Sequence, residues 1–143
     1  MAIRFTIKPE YDLLLYVFDG NFSGKDYFDA YEAVYKDSRR HHGMKVLMDL
    51  DNAEPEFDVH NYWEGVSLVR SNHEAGYDPD HVAISTSKST TQDFAEVFKI
   101  MANDLPIHLG VFHNHMDAIR WLGLAEHETD VLRFWNEFKS AND

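Results

Sequence analysis

Three short segments of this sequence carry side chains whose type and spacing could do chemistry. Asp49-Leu50-Asp51 follows an apolar run. Two carboxylates at that spacing could supply a nucleophile, a second acid and a seat for Mg²⁺ in phosphoryl transfer. They also suit plain solvated loop carboxylates. His113-Asn114-His115-Met116-Asp117 places two imidazoles two residues apart. If an extended strand continues through them, both point one way and could share a metal. Ala118 follows, so the pattern is short of a full metal-binding run, and Asn114 or His115 could simply cap a helix. Ser85-Thr86-Ser87-Lys88-Ser89-Thr90-Thr91 gathers hydroxyls around one lysine. Free N–H groups at a helix start, with Lys88, could hold a phosphate or carboxylate. The segment has no glycine to bring the backbone close, so it is not a P-loop. Ser89 with Gln92 also fits a capping box, in which hydroxyls satisfy orphan N–H groups without a ligand.

The elements that must position these residues read clearly. Residues 2–8 alternate Ile3, Phe5 and Ile7 against Arg4, Thr6 and Lys8, the period of a half-buried strand. Residues 12–19 are more continuously apolar, as in a central strand covered on both faces. The short link through Pro9 and Glu10 predicts an antiparallel hairpin. Ser23 with Asp26 starts a helix whose Tyr27, Tyr31, Val34 and Tyr35 share one face. Gly43 closes that connection, residues 44–50 form a third strand, and Pro55 is expected to break the chain.

Val59, Tyr62, Trp63, Val66 and Val69 predict a second helix to about Ser71, with Gly76 and Pro79 in the next loop. Residues 81–85 are a fourth strand. Phe94, Val97, Phe98 and Met101 line a third helix, and residues 107–112 are a fifth strand. A short helix holds Ala118, Ile119 and Leu122, with Gly123 as its stop. A last helix over about 128–139 carries Val131, Trp135 and Phe138. Trp63 and Trp121 are expected in the core, whereas Trp135, beside Phe134, could meet a partner.

Strands that alternate with helices form a mainly parallel sheet with right-handed crossovers. Strands two to five are expected parallel and in sequence order, with the first strand antiparallel at one end. Ligands of such sheets bind beyond the carboxyl ends of the strands. Those ends gather Asp19, Asp49, Asp51, Ser85, Thr86, Ser87, His113 and His115. The expected ligand site is therefore Asp49, Ser85, Thr86, Lys88, Ser89 and Thr90, with any apolar part of the ligand against Trp63 or Phe94. His113 and His115 are the weak metal candidates, and no cofactor is expected. The pair His41-His42 reads as solvated.

Composition narrows the classes. The chain has 143 residues, suited to one domain, and 44% of them are hydrophobic, enough for a core. It has no cysteine, which excludes disulfides and thiolate metal sites. The formal net charge of −12 repels nucleic acid and anionic membranes. No run approaches the roughly 18 apolar residues of a membrane span, and the N-terminus lacks a signal-peptide core. A cytoplasmic location is the expectation.

The opening hairpin, "FDGNFSGKDY" before the first helix, "KVLMDLDNAE" at the third strand, "HVAIST" at the fourth and "DAIRWLGL" near the end together resemble the SpoIIAA-like branch of the STAS/SEC14-like proteins. The likeness spans residues 3–124 and leaves 125–143 as an added C-terminal helix. It implies the five-stranded α/β fold derived above. Relatives in the wider STAS class are phosphorylation-controlled partner-binding domains whose switch serine opens the helix after the third strand. Residues 52–62 (NAEPEFDVHNY) hold no serine, threonine or glycine, so that switch is not expected here. The SEC14-like side implies an apolar or lipid-like ligand. The leading expectation is a non-catalytic binding module for a small apolar or anionic ligand or a protein partner. The alternatives are a metal-assisted hydrolase or phosphatase at the carboxyl edge, and a structural domain that homodimerises.

Overall fold

The computed structural model describes residues 2–41, 43–74, 81–105 and 107–141. The expected loop at Gly76 and Pro79, and His42, lie outside the described residues. Strand β1 (Ile3–Lys8) leads through a single 3₁₀ turn, Pro9–Tyr11, into β2 (Leu13–Ser23), and the two pair antiparallel. Strands β3 (Lys45–Glu56), β4 (His81–Ser85) and β5 (His108–Phe112) add in parallel, so the sheet runs β1-β2-β3-β4-β5. This is the mixed five-stranded sheet that the sequence pattern implies.

The period of β2 decides what covers the sheet. Leu14, Tyr16 and Phe18 point to one face, and Leu13, Leu15 and Val17 to the other. Both rows are buried, so both faces need a layer. Helices α1 (Gly24–Tyr35), α2 (Val59–Glu74) and α3 (Ser89–Met101) cover the first face. Helices α4 (His115–Trp121) and α5 (Glu128–Ser140) cover the second, through Ala118, Ile119, Val131 and Trp135. Ser23 caps α1 reciprocally with Asp26, as its spacing predicts. Gly123, at φ +79, takes the left-handed turn after α4 that an L side chain resists.

The structure corrects several sequence expectations. Pro55 does not break the chain: β3 continues through it to Glu56, with Pro55 opposite Phe22. The β3–β4 ladder stops at Asp49 opposite Ser85, so Pro55 lies where β3 has no partner on that side and its missing N–H leaves no gap. Asp49 and Asp51 consequently sit within a strand rather than at its end. Ser89 and Gln92 form no capping box; α3 starts after Lys88 with no side-chain cap, and Gln92 Nε2 donates instead to Thr86 O at 2.9 Å.

The tryptophans are also redistributed. Trp63 and Trp121 are 52% and 37% exposed, whereas Trp135 is fully buried at 0%. A helical face narrower than the pattern suggests leaves Trp63 outside, and α5 turns Trp135 inward because it has a whole sheet face to cover. Measured by urea unfolding, Trp135→Ala is expected to cost about 3–5 kcal/mol. Trp63→Ala should stay within about 0.5 kcal/mol of the parent protein.

Candidate functional site

The carboxyl edge of the sheet does assemble a polar cluster, on the face covered by α4 and α5. Asp49, only 1% exposed, is its centre. Its Oδ2 accepts from Trp135 Nε1 at 2.8 Å and from Lys139 Nζ at 2.8 Å. Its Oδ1 accepts from the Asp51 amide at 3.0 Å. His115, the first residue of α4, stacks on Trp135 with ring centroids 3.7 Å apart. Its Nδ1 lies 2.8 Å from Ser85 Oγ, and its Nε2 lies 3.5 Å from Asp51 Oδ2 and 3.8 Å from Asp49 Oδ2. A neutral imidazole with its proton on Nε2 satisfies this arrangement, because Nδ1 then accepts from the Ser85 hydroxyl. Burial pushes His115 below its ordinary value, against the upward pull of Asp49 and Asp51, with Lys139 adding to the fall.

Asp49, Asp51 and His115 each offer one ligand atom, all within 4.8 Å of one another. The Lys139 ammonium, 2.8 Å from Asp49 and 4.0 Å from Asp51, already supplies positive charge there. A divalent cation would have to displace it. Ser85 is fully buried, so its hydroxyl does not face solvent.

The other sequence candidates fall elsewhere. The strand ends at Phe112, and His113 and His115 part company: His113 Nδ1 pairs with the Gln92 side chain, while His115 turns into the cluster. Asn114, not His115, caps α4, its Oδ1 accepting from Asp117 N at 2.9 Å. Thr86 is buried and shares a hydrogen bond with Thr91. The Lys88 ammonium donates to Ala53 O at 2.8 Å, and Ser89 and Thr90 are exposed beside it. Asp19 pairs with Arg4 at 3.3 Å. Neither solvation nor loop position describes Asp49, whereas His41 is exposed, with its Nε2 against an Asp12 carboxylate oxygen.

The opposite face holds a feature with no local sequence signal. A cavity of about 70 Å³ lies between the sheet and α1–α3, with Leu14, Val46, Val82 and Ile84 on the sheet side and Val34, Val69 and Phe98 among the helix side chains. Four tyrosines, Arg40 and the exposed His41 also line it among the described residues. The Tyr31 and Tyr35 hydroxyls are 3.2 Å apart, and the Arg40 guanidinium lies 3.9 Å from the centroid of the Tyr35 ring.

Tyr16 and Tyr27 are 5% and 9% exposed. Neither hydroxyl has a hydrogen-bond partner among the described residues. Burial pushes both phenols above their ordinary value; smaller contributions come from Tyr27 and Tyr35 at Tyr16 and from Tyr35 at Tyr27. A buried unsatisfied hydroxyl costs about 1–3 kcal/mol. The sequence pattern places Tyr27, Tyr31, Val34 and Tyr35 on one helical face and gives no sign of the cavity beneath it.

A scan of protein families matches residues 13–123 to the SpoIIAA-like family. The chain belongs to the SpoIIAA-like family. An uncharacterised DUF3478-family protein from Shewanella loihica, described as having a SpoIIAA-like fold, superposes with a TM-score of 0.58. It is 18% identical, and the match covers 85% of this chain and 94% of that one. At that identity the likeness concerns the fold. No curated protein matches the chain. The family match ends before α5, so Trp135 and Lys139 are contributed from outside it.

In this SpoIIAA-like protein, Asp49→Ala should destabilise by about 3 kcal/mol, because it strands the Trp135 N–H and the Lys139 charge. Near-ultraviolet circular dichroism should change with it, as Trp135 loses its fixed setting. The His115 environment gives a pH dependence with a definite sign. In the unfolded chain the imidazole takes its proton near about pH 6.5. In the fold it does so at lower pH, so the unfolded state binds more protons and stability falls as pH drops below that value. His115→Gln should flatten this fall in urea midpoints measured from about pH 7.5 to 5.5; an unchanged slope would contradict the assignment.

Proposed function

We propose that this SpoIIAA-like chain is a non-catalytic binding module that holds a small apolar ligand between its sheet and α1–α3. The observation that carries the reading is the apolar cavity of about 70 Å³. Close packing is the rule in protein interiors, and a void forfeits dispersion contacts on every wall. Helical rows of small and branched side chains could have closed this one; the fold keeps it open beneath a layer of aromatic rings. A ligand that fills it recovers those contacts and removes its own apolar surface from water.

Size sets the class of occupant. An engineered cavity of about 150 Å³ admits benzene and xenon. The present cavity is about half that, so it suits a short or branched apolar group, and anything longer must extend toward solvent. His41 and the half-buried Tyr35 and Arg40 lie along the lining, which gives such an extension a direction.

Xenon is the probe that tests this reading alone, since it has size and polarisability but no polar group. In ¹⁵N-edited NMR spectra under xenon pressure, saturable shifts are expected at Val34, Val82, Ile84 and Phe98. The double variant Val69→Leu/Val82→Ile, which grows two walls into the space, should abolish them while unfolding at a similar urea concentration. Shifts that fail to saturate, or that map to α4 and α5, would sink the proposal.

A further inference from the structure

The row of β2 that faces α1–α3 reads Leu14, Tyr16, Phe18, so a tyrosine stands between two purely apolar neighbours. Tyr27 holds a similar position on the helical wall. It belongs to α1 and meets Phe57 and Phe98 edge-on, with ring centroids 6.0 and 6.3 Å away. Both side chains line the cavity, and both are more than nine-tenths buried. In each, the ring does the packing that a phenylalanine would do, and the hydroxyl is left over. Neither hydroxyl meets a hydrogen-bond partner among the described residues, although buried polar groups are nearly always given one. The two phenols are near enough for the charge of one to disfavour ionisation of the other. Burial holds both neutral.

We infer that the ligand of this cavity is a small uncharged carbonyl compound, a ketone or an ester. Its carbonyl oxygen accepts from the Tyr16 and Tyr27 hydroxyls, and its alkyl part fills the remaining space. The inference rests on the apolar-cavity reading and adds a polar group to the occupant. Tyr16 stands on the sheet and Tyr27 on α1, so two O–H donors come from different walls of one space. A carbonyl oxygen has two lone pairs and takes both. Phenol oxygens also accept, so an alcohol would accept from one phenol and donate to the other. One phenol O–H would then stay unmet. A hydrocarbon leaves both unmet. An ionic head group would give up its hydration for two neutral phenols, which supply hydrogen bonds but no countercharge, and burying a charge costs far more than burying a neutral dipole.

Three probes of matched size separate these cases: 2-pentanone, 2-methylpentane and butanoate, titrated by NMR into the full chain. Bound 2-pentanone, labelled with ¹³C at its carbonyl, should show a carbonyl stretch at lower wavenumber than in hexane, the mark of an accepted hydrogen bond. Tyr16→Phe and Tyr27→Phe each remove one hydroxyl and no carbon. Each should weaken 2-pentanone about tenfold and move its carbonyl stretch back up, while 2-methylpentane binds as before. Both should leave the xenon shifts in place, which shows that the cavity has survived the change. Butanoate should bind at least about tenfold more weakly than 2-pentanone. The inference is overturned if the stretch of bound 2-pentanone is unshifted, if both Tyr→Phe variants keep full 2-pentanone affinity, or if butanoate binds as tightly. Xenon binding without 2-pentanone binding overturns the carbonyl assignment alone. Absence of xenon binding in the parent protein overturns the cavity reading as well.

Discussion

The middle strands of this sheet are apolar on both sides, and that constraint organises the rest of the molecule. A strand such as β2, with Leu13, Leu15 and Val17 on one face and Leu14, Tyr16 and Phe18 on the other, cannot leave either row in water. Two helical layers follow from it. They are filled differently. On the α4–α5 side the partners of the sheet are Ala118, Ile119, Val131 and one large ring, Trp135, all fully buried. On the α1–α3 side the filling is a network of aromatic rings. Phe22 meets Phe94 edge-on at 90°, and Phe57 meets Phe94 at 88°. Flat rings in edge-to-face contact favour specific geometry over continuous filling. The cavity lies on that side.

Helix α5 is tied into this scheme by charge as well as by packing. Asp49 belongs to β3, where strand geometry aims it at the α5 face, and a carboxylate there is costly without partners. Trp135 and Lys139 on consecutive turns of α5 supply them. Arg4 on β1 closes the far end, donating to the carbonyls of Phe138 and Lys139 at 2.9 and 3.1 Å. A positive group at a helix C-terminus also opposes the helix dipole. Tyr11 holds Asp130 in the first turn of the same helix. β1, β3 and the turn between β1 and β2 thus each anchor α5.

Much of the fold was legible because it rests on period. Alternation over residues 3–7, apolar runs at the central strands and three-to-four spacing in the helices are local signals, and they set the strand order through short connections. Strand length was less legible, because the extension of β3 past Pro55 depends on where β4 stops. Asp49 could be named as a site candidate but not understood, since its partners lie 86 and 90 residues away. Trp63 and Trp135 exchanged environments for the same reason: a helix pattern shows which residues share a face, and only the neighbours decide how much of that face is covered. The cavity was not legible at all. It is a difference between the volume that the backbone encloses and the volume that side chains occupy, and no spacing encodes it.

The residues that looked most chemical by type and spacing are mostly bound to one another. Asp49 faces Lys139 and Trp135, His115 faces Ser85, Asp51 accepts from the Ser87 amide at 2.8 Å, and Lys88 donates to a backbone carbonyl. Each such pairing satisfies a group that burial would otherwise penalise, and each lowers what that group can offer a ligand. The phenols of Tyr16 and Tyr27 stand in the opposite condition. They sit among apolar neighbours that give no hint of function, yet their hydroxyls are buried and meet no hydrogen-bond partner among the described residues. Residue type marks where chemistry is conceivable; the balance of donors and acceptors after folding marks where binding capacity remains. By that measure Tyr16 and Tyr27, among the described residues, keep a hydrogen-bonding capacity that the paired groups of the acidic edge have already used.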